Sequence, residues 1–199
     1  CMAYAEYRYG AARGCSNIVA LTLGTGIGGG LIINGQLYRG SKYAAGELGN
    51  FSIDYQGPPN VYGLKGALEC YMGNKQICEI AEKSFKNTEI PEGGWTPEKV
   101  THLAEQGNAT AIQIWNQIAE WLASVLASTA WLLNPDAFVI GGGVASAGRF
   151  LFDPLNEKIK NQVSEVISED LKIIPAYFGN ESGIIGSSAQ ALDNWKKES

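Results

Sequence analysis

Five of the seven residues from Gly24 to Gly30 are glycine, and Thr25 stands among them. Phosphate oxygens suit such a stretch. Glycines allow positive φ and let a ligand approach the main-chain N–H groups, while the threonine adds a hydroxyl donor. Gly24, Gly26 and Gly29 also fit the spacing G-x-G-x-x-G, but a dinucleotide fingerprint requires a helix next. Here the chain continues Leu31-Ile32-Ile33 and then Asn34-Gly35, a type I′ turn signal, so the glycines join antiparallel strands. A second run, Gly141-Gly142-Gly143, follows a buried apolar strand and precedes a helix, with Ser146 as expected N-cap. Backbone N–H groups at that turn could meet a nucleotide, although the third fingerprint glycine is absent and no acidic residue follows about twenty positions on. A tight turn without a ligand is the alternative for both runs.

Two carboxylates stand in segments otherwise short of charge: Glu47 in SKYAAGELGN and Glu69 in GALE. Each has an ordinary reading, Glu47 as a turn residue and Glu69 as a helix first-turn residue favoured by the dipole. His102, the only histidine, has no ligand-spaced partner and reads as a helix-surface residue rather than a metal ligand or general base.

Around those groups the sequence predicts a helix from residue 1 to about 14 and strands at 18–23, 31–33 and 36–38. A short strand at 51–55, a Pro/Gly loop at 56–63 and a helix over 66–81 follow. Residues 83–97 read as an exposed loop. Thr96 then caps a helix with Pro97 at its first position, running to about Gln106. Apolar positions at three- and four-residue steps predict a core helix over 108–133, ended by Asn134-Pro135. A buried strand at 137–140, a helix within 149–168 starting near Asp153-Pro154, a strand at 172–176 and a last helix at 183–195 complete the chain.

With 199 residues, 45% of them hydrophobic, the chain can bury one sizeable core. A net charge of −5 offers no basic face for nucleic acid. The four cysteines form no C-x-x-C pair, and the longest uncharged apolar run, residues 121–133, is short of a bilayer span. A reducing cytoplasm and no membrane partner are expected. Because the helix is already under way at Cys1, the sequence reads as part of a longer protein.

LTLGTGIGGG, GELGN, GALE, NPDAFVIGGGV and PAYFGNESGIIGSSAQA, in this order and at these distances, resemble the ROK family of repressors and sugar kinases over essentially the whole chain. The resemblance implies an α/β fold, the C-terminal lobe of an actin-like, ribonuclease-H-like ATPase, with a mixed sheet flanked by helices across 1–199. It implies ATP and Mg2+ as cofactors and a hexose as substrate. Gly24, Thr25 and Gly26 would meet the phosphates, Gly141, Gly142 and Gly143 the adenosine, and Glu47, Asn50 and Glu69 the sugar. The catalytic aspartate would lie just upstream of Cys1, so no catalytic residue is expected within the chain.

One departure concerns metal. The family's zinc ligands, a histidine and three cysteines, correspond to Asn50, Asn60, Tyr62 and Ala67, so no structural zinc is expected. A glucokinase-like hexose kinase is the leading reading and the sugar-sensing domain of a ROK regulator the alternative; a non-catalytic interaction fragment is a third. The last helix, with Tyr4 and Tyr7 of the first, is expected to self-associate into a homo-oligomer.

Overall fold

The computed structural model describes residues 1–85 and 90–198. Strands β1 (Ile18–Leu23), β2 (Ile27–Ile33), β3 (Gln36–Tyr38), β4 (Ala137–Gly141) and β5 (Lys172–Pro175) form one sheet in the order β3-β2-β1-β4-β5. The β1–β2–β3 meander is antiparallel, while β4 and β5 add in parallel to β1. The mixed sheet flanked by helices is therefore present as expected. Asn34 and Gly35 both have positive φ, 51° and 73°, as the turn joining β2 to β3 requires.

Alternation along the strands divides the core. Val19, Leu21, Leu23, Phe138 and Ile140 face a large layer built on α4 (Ala109–Leu133), whereas Ile18, Ala20, Ile32 and Val139 face a smaller layer against α1 (Met2–Arg8). α4 starts where the Asn108 side chain accepts from Ala111 N at 3.0 Å, and it stops where Asn134 turns left-handed at φ 42°. α2 (Asn74–Ser84), α3 (Pro97–Glu105) and α5 (Arg149–Lys160) join its layer. Thr96 caps α3 as expected, accepting from Lys99 N at 3.3 Å. α6 (Glu165–Ser168) is one short turn, and α7 (Ser182–Glu198) packs beside α1.

Several local expectations need correction. The first helix ends at Arg8 because the chain turns at Gly10, where Ala11 N donates to the Glu6 carboxylate instead of continuing the ladder. β2 begins at Ile27, so its glycines are strand residues. Residues 51–55 form no strand; only Ser52 bridges, antiparallel to Ala67. The helix expected over 66–81 is a 3-10 turn at Leu68–Cys70 followed by α2, with Gly73 between them. The helix expected within 149–168 is α5 plus α6, carrying Pro154 inside α5. Ser146 is not a cap: its hydroxyl donates to Gly143 O within a 3-10 turn, and Gly148 at φ 56° precedes α5. In the loop expected at 83–97, residues 86–89 lie outside the described residues.

Candidate functional site

Parallel pairing sets Thr22 of β1 beside Gly141 of β4, so the two glycine turns leave the same end of the sheet. They touch. Gly142 sits at φ 88°, and a Cβ there would lie 2.2 Å from Leu23 O. Only glycine allows that approach. α1 opens against the same end, since a Cβ on Gly141 would come 2.9 Å from Met2 Sδ.

The glycines of β1–β2 divide by what they face. At Gly24, Gly26, Gly28 and Gly143 a Cβ would meet nothing within 4 Å. At Gly29 and Gly30 it would strike Gly46 O at 1.9 Å and Ala3 Cβ at 2.9 Å. None of the five has positive φ, contrary to the conformational role expected from composition. Their value is lateral room: open space at the tip, close backbone packing further along. Thr25 and Gly26 are exposed there. Gly24 N is committed to Gly26 O at 3.0 Å, and Gly24 O accepts from Asn74 N at 2.9 Å, tethering the start of α2 behind the tip. This open, glycine-surfaced end fits a phosphate chain and an attached nucleoside.

The segment carrying Glu47 lies along β2. Besides Gly46 against Gly29, Gly49 is pressed to Ile27, where a Cβ would fall 2.7 Å from the carbonyl oxygen. Glu47 precedes the 3-10 turn Leu48–Asn50 and is exposed. Glu69 is half-buried in the first turn of the three-residue 3-10 helix Leu68–Cys70, separate from α2, so the long helix whose dipole was to favour it is absent there. Leu68 N donating to Phe51 O at 2.9 Å, with the Ser52–Ala67 bridge, holds the two turns side by side. Glu47, Asn50 and Glu69 are thus on adjoining turns. The thiol next to Glu69, Cys70, is pushed up by burial and then by that carboxylate.

Asn50 and Asn60 come into direct contact: Asn60 Nδ2 donates to Asn50 Oδ1 at 2.8 Å. Asn60 Oδ1 accepts from Tyr62 N and Leu64 N, both at 3.0 Å. The Tyr62 side chain is exposed and Ala67 is buried in the bridge to Ser52. No group of three or more His, Cys, Asp or Glu able to hold a metal occurs among the described residues. His102 is at the surface beside Glu105 and Gln106, as expected.

Glu6 went unnoticed in the sequence. It is fully buried, and its carboxylate accepts from Ala11 N at 2.8 Å and from Tyr177 N and Phe178 N at 3.0 Å. Those bonds pin α1 to the segment between β5 and α7. The available signal was Gly10 four residues later, where a Cβ would be 2.1 Å from Glu6 Oε2. On the same helix, Tyr4 donates to Asp193, and burial with that bond pushes its hydroxyl up to about 12.

A profile of the ROK family matches residues 1–194. The glucokinase of Thermotoga maritima is 32% identical over 92% of this chain and 61% of its own length. The xylose repressor of Bacillus subtilis is 26% identical over 97% of this chain and 48% of its own. Among solved structures, a ROK family glucokinase from Streptomyces griseus in complex with glucose and AMPPNP superimposes with a TM-score of 0.85 at 28% identity. That match covers 95% of this chain and 64% of the other. The chain therefore spans less than two thirds of each of these relatives. No described helix is long and apolar enough to cross a membrane. The match from Cys1 to Asn194 takes in both glycine turns and the two carboxylate turns together, and on it the chain belongs to the ROK family.

Proposed function

We propose that this chain is the C-terminal lobe of an ATP-dependent, glucokinase-like hexose kinase of the cytoplasm. ATP would supply the phosphoryl group, held over the tip at Gly24, Thr25 and Gly26, with the adenosine against Gly141, Gly142 and Gly143. Glu47 and Glu69 accept from sugar hydroxyls, and Asn50 makes a third contact. The reacting hydroxyl gives its proton to a carboxylate upstream of Cys1, its oxygen bonds to the γ-phosphorus, and the bond to the ADP oxygen breaks. Mg2+ bound with the ATP would neutralise charge on the phosphates.

The observation that supports this reading is the convergence of three close contacts: Gly142 on the Leu23 carbonyl, Gly29 on the Gly46 carbonyl, and Gly141 on the Met2 side chain. Through them the two glycine turns and the start of α1 meet at one end of the sheet, with the Glu47 segment alongside β2. Phosphoryl transfer needs that alignment. The test is a coupled assay of ADP release across hexoses. A protein including the upstream lobe should turn over in a sugar-dependent way, and residues 1–199 alone should not. Silence of the longer protein across all hexoses favours the second reading, a sugar-sensing regulator domain, which the match to the xylose repressor supports. A basic helix-turn-helix ahead of Cys1 would mark that alternative.

A further inference from the structure

Asn60 has an amide whose orientation is dictated by its neighbours. Its Oδ1 takes two main-chain donors, Tyr62 N and Leu64 N, each at 3.0 Å. A turned amide would set its NH2 group against both. Asn60 N and O are committed too, to Leu64 O and Gly63 N at 2.9 Å, so the residue is fixed in its loop. Nδ2 must therefore face outward, and it meets Asn50 Oδ1 at 2.8 Å.

The constraint passes on. With Oδ1 turned to Asn60, the Asn50 amide carries its NH2 group on the side away from Asn60, while Oδ1 keeps one further lone pair beside that bond. Asn50 closes the 3-10 turn that Glu47 precedes and adjoins the turn holding Glu69. Two acceptors and one enforced donor thus lie on adjoining turns.

We propose that Asn60 is a positioning and specificity-determining residue for sugar binding: it fixes Asn50 as a hydrogen-bond donor. The ligand must then present an acceptor oxygen to Asn50 while its hydroxyls donate to the carboxylates. A hydroxyl at that ring position satisfies this, because it can accept from Asn50 and still donate to a glutamate. An ammonium there offers donors only and cannot accept the bond from Asn50. This rests on the assignment of Asn50 to the sugar.

The test uses the full-length protein, with D-glucose binding measured by calorimetry. Asn60→Asp retains an oxygen for Tyr62 N and Leu64 N but removes the donor to Asn50, which can then turn its NH2 toward Asp and present Oδ1 to the sugar. Glucose affinity should fall roughly ten- to a hundredfold, as for loss of one hydrogen bond when Asn50 Oδ1 and a glutamate compete for a single hydroxyl proton, while ATP affinity stays unchanged. In an Asn50→Ala background the same substitution should have no further effect on glucose. In the unsubstituted protein, the Asn50 side-chain amide NMR signals should shift on glucose titration and those of Asn60 should not, a readout independent of whether the variants fold. If Asn50→Ala leaves glucose affinity intact, the sugar assignment fails and the proposal with it. If Asn50→Ala weakens binding but Asn60→Asp does not, or weakens it equally in both backgrounds, the proposal alone is overturned. Unmoved Asn50 signals at saturating glucose overturn it as well.

Discussion

Gly29→Ala is the sharpest probe of how the two halves of the site are joined. The added methyl would stand 1.9 Å from Gly46 O, and ordinary contact begins at 3.4 Å, so one backbone must retreat by about 1.5 Å. β2 is held by β1 through six registered pairs, from Ile18↔Ile32 to Leu23↔Ile27, and cannot easily yield. The Gly46–Glu47 segment must move instead. Overpacking of this kind costs about 1–3 kcal/mol of stability, a sizeable part of the roughly 5–15 kcal/mol a domain has. A misplacement of about 1 Å in a positioning group costs on the order of a hundredfold in function. In the full-length protein we expect the sugar dissociation constant to rise by about that factor and the ATP constant to change little, measured by calorimetry, with urea unfolding recording the stability loss. Gly28→Ala is the matched control, because its methyl meets nothing within 4 Å and the fold should be indifferent to it. Unaltered sugar affinity in Gly29→Ala, with stability within 0.5 kcal/mol of the parent on the roughly ±0.5 kcal/mol scale of surface substitutions, would refute the idea that this contact places Glu47.

Glu47→Gln and Glu69→Gln should each weaken sugar binding by about ten- to a hundredfold and ATP binding less, by calorimetry with glucose and other hexoses; unchanged sugar affinity in both would return them to ordinary turn residues. Glu6→Gln, placing its one carbonyl oxygen where Oε2 now serves two donors, still loses the bond from Phe178 N. Urea unfolding should register about 1.5–3 kcal/mol, and an unmoved midpoint would contradict a structural role for the carboxylate. Tyr4 has its pKa raised to about 12, so the folded state holds its proton more tightly than the unfolded chain. The stabilisation is full below about pH 10 and is lost as pH rises toward 12, and Tyr4→Phe should flatten that part of an alkaline unfolding profile. Elemental analysis after chelator dialysis should find no zinc; one ion per chain would mean that Cys70, Cys78 or His102 had been misjudged.

Local chemistry made much of the architecture legible. The Asn34-Gly35 turn, the Thr96-Pro97 cap and the three- and four-residue steps of α4 each reside in a few neighbouring residues, and each occurs as read. What composition could not convey was contact across distance. Gly29 and Gly30 look like a flexible tip, yet their lack of side chains serves Gly46 and Ala3, far away in the chain. Glu69 looked like a helix start because GALE has helical propensity, but the pairing of Phe51 O with Leu68 N holds it in a separate turn. Glu6 is the extreme case. Its partners at Tyr177 and Phe178 come from the other end of the sequence, and Gly10, the nearby residue that leaves room for the carboxylate, does not identify them.

The seating of Gly142 against Leu23 O ties the two glycine turns into a single unit of fixed span. A ligand that engages both gains from linkage: once one end is held, the other is presented at an effective concentration set by the spacing of the turns. Inorganic phosphate and a bare nucleoside should then each bind feebly, while the molecule that joins them at the right length binds far better than either. Shortening or lengthening the bridge between base and terminal phosphate would forfeit that gain. On the proposed nucleotide-binding reading, the junction of β1 and β4 would serve as a ruler that selects its ligand by length.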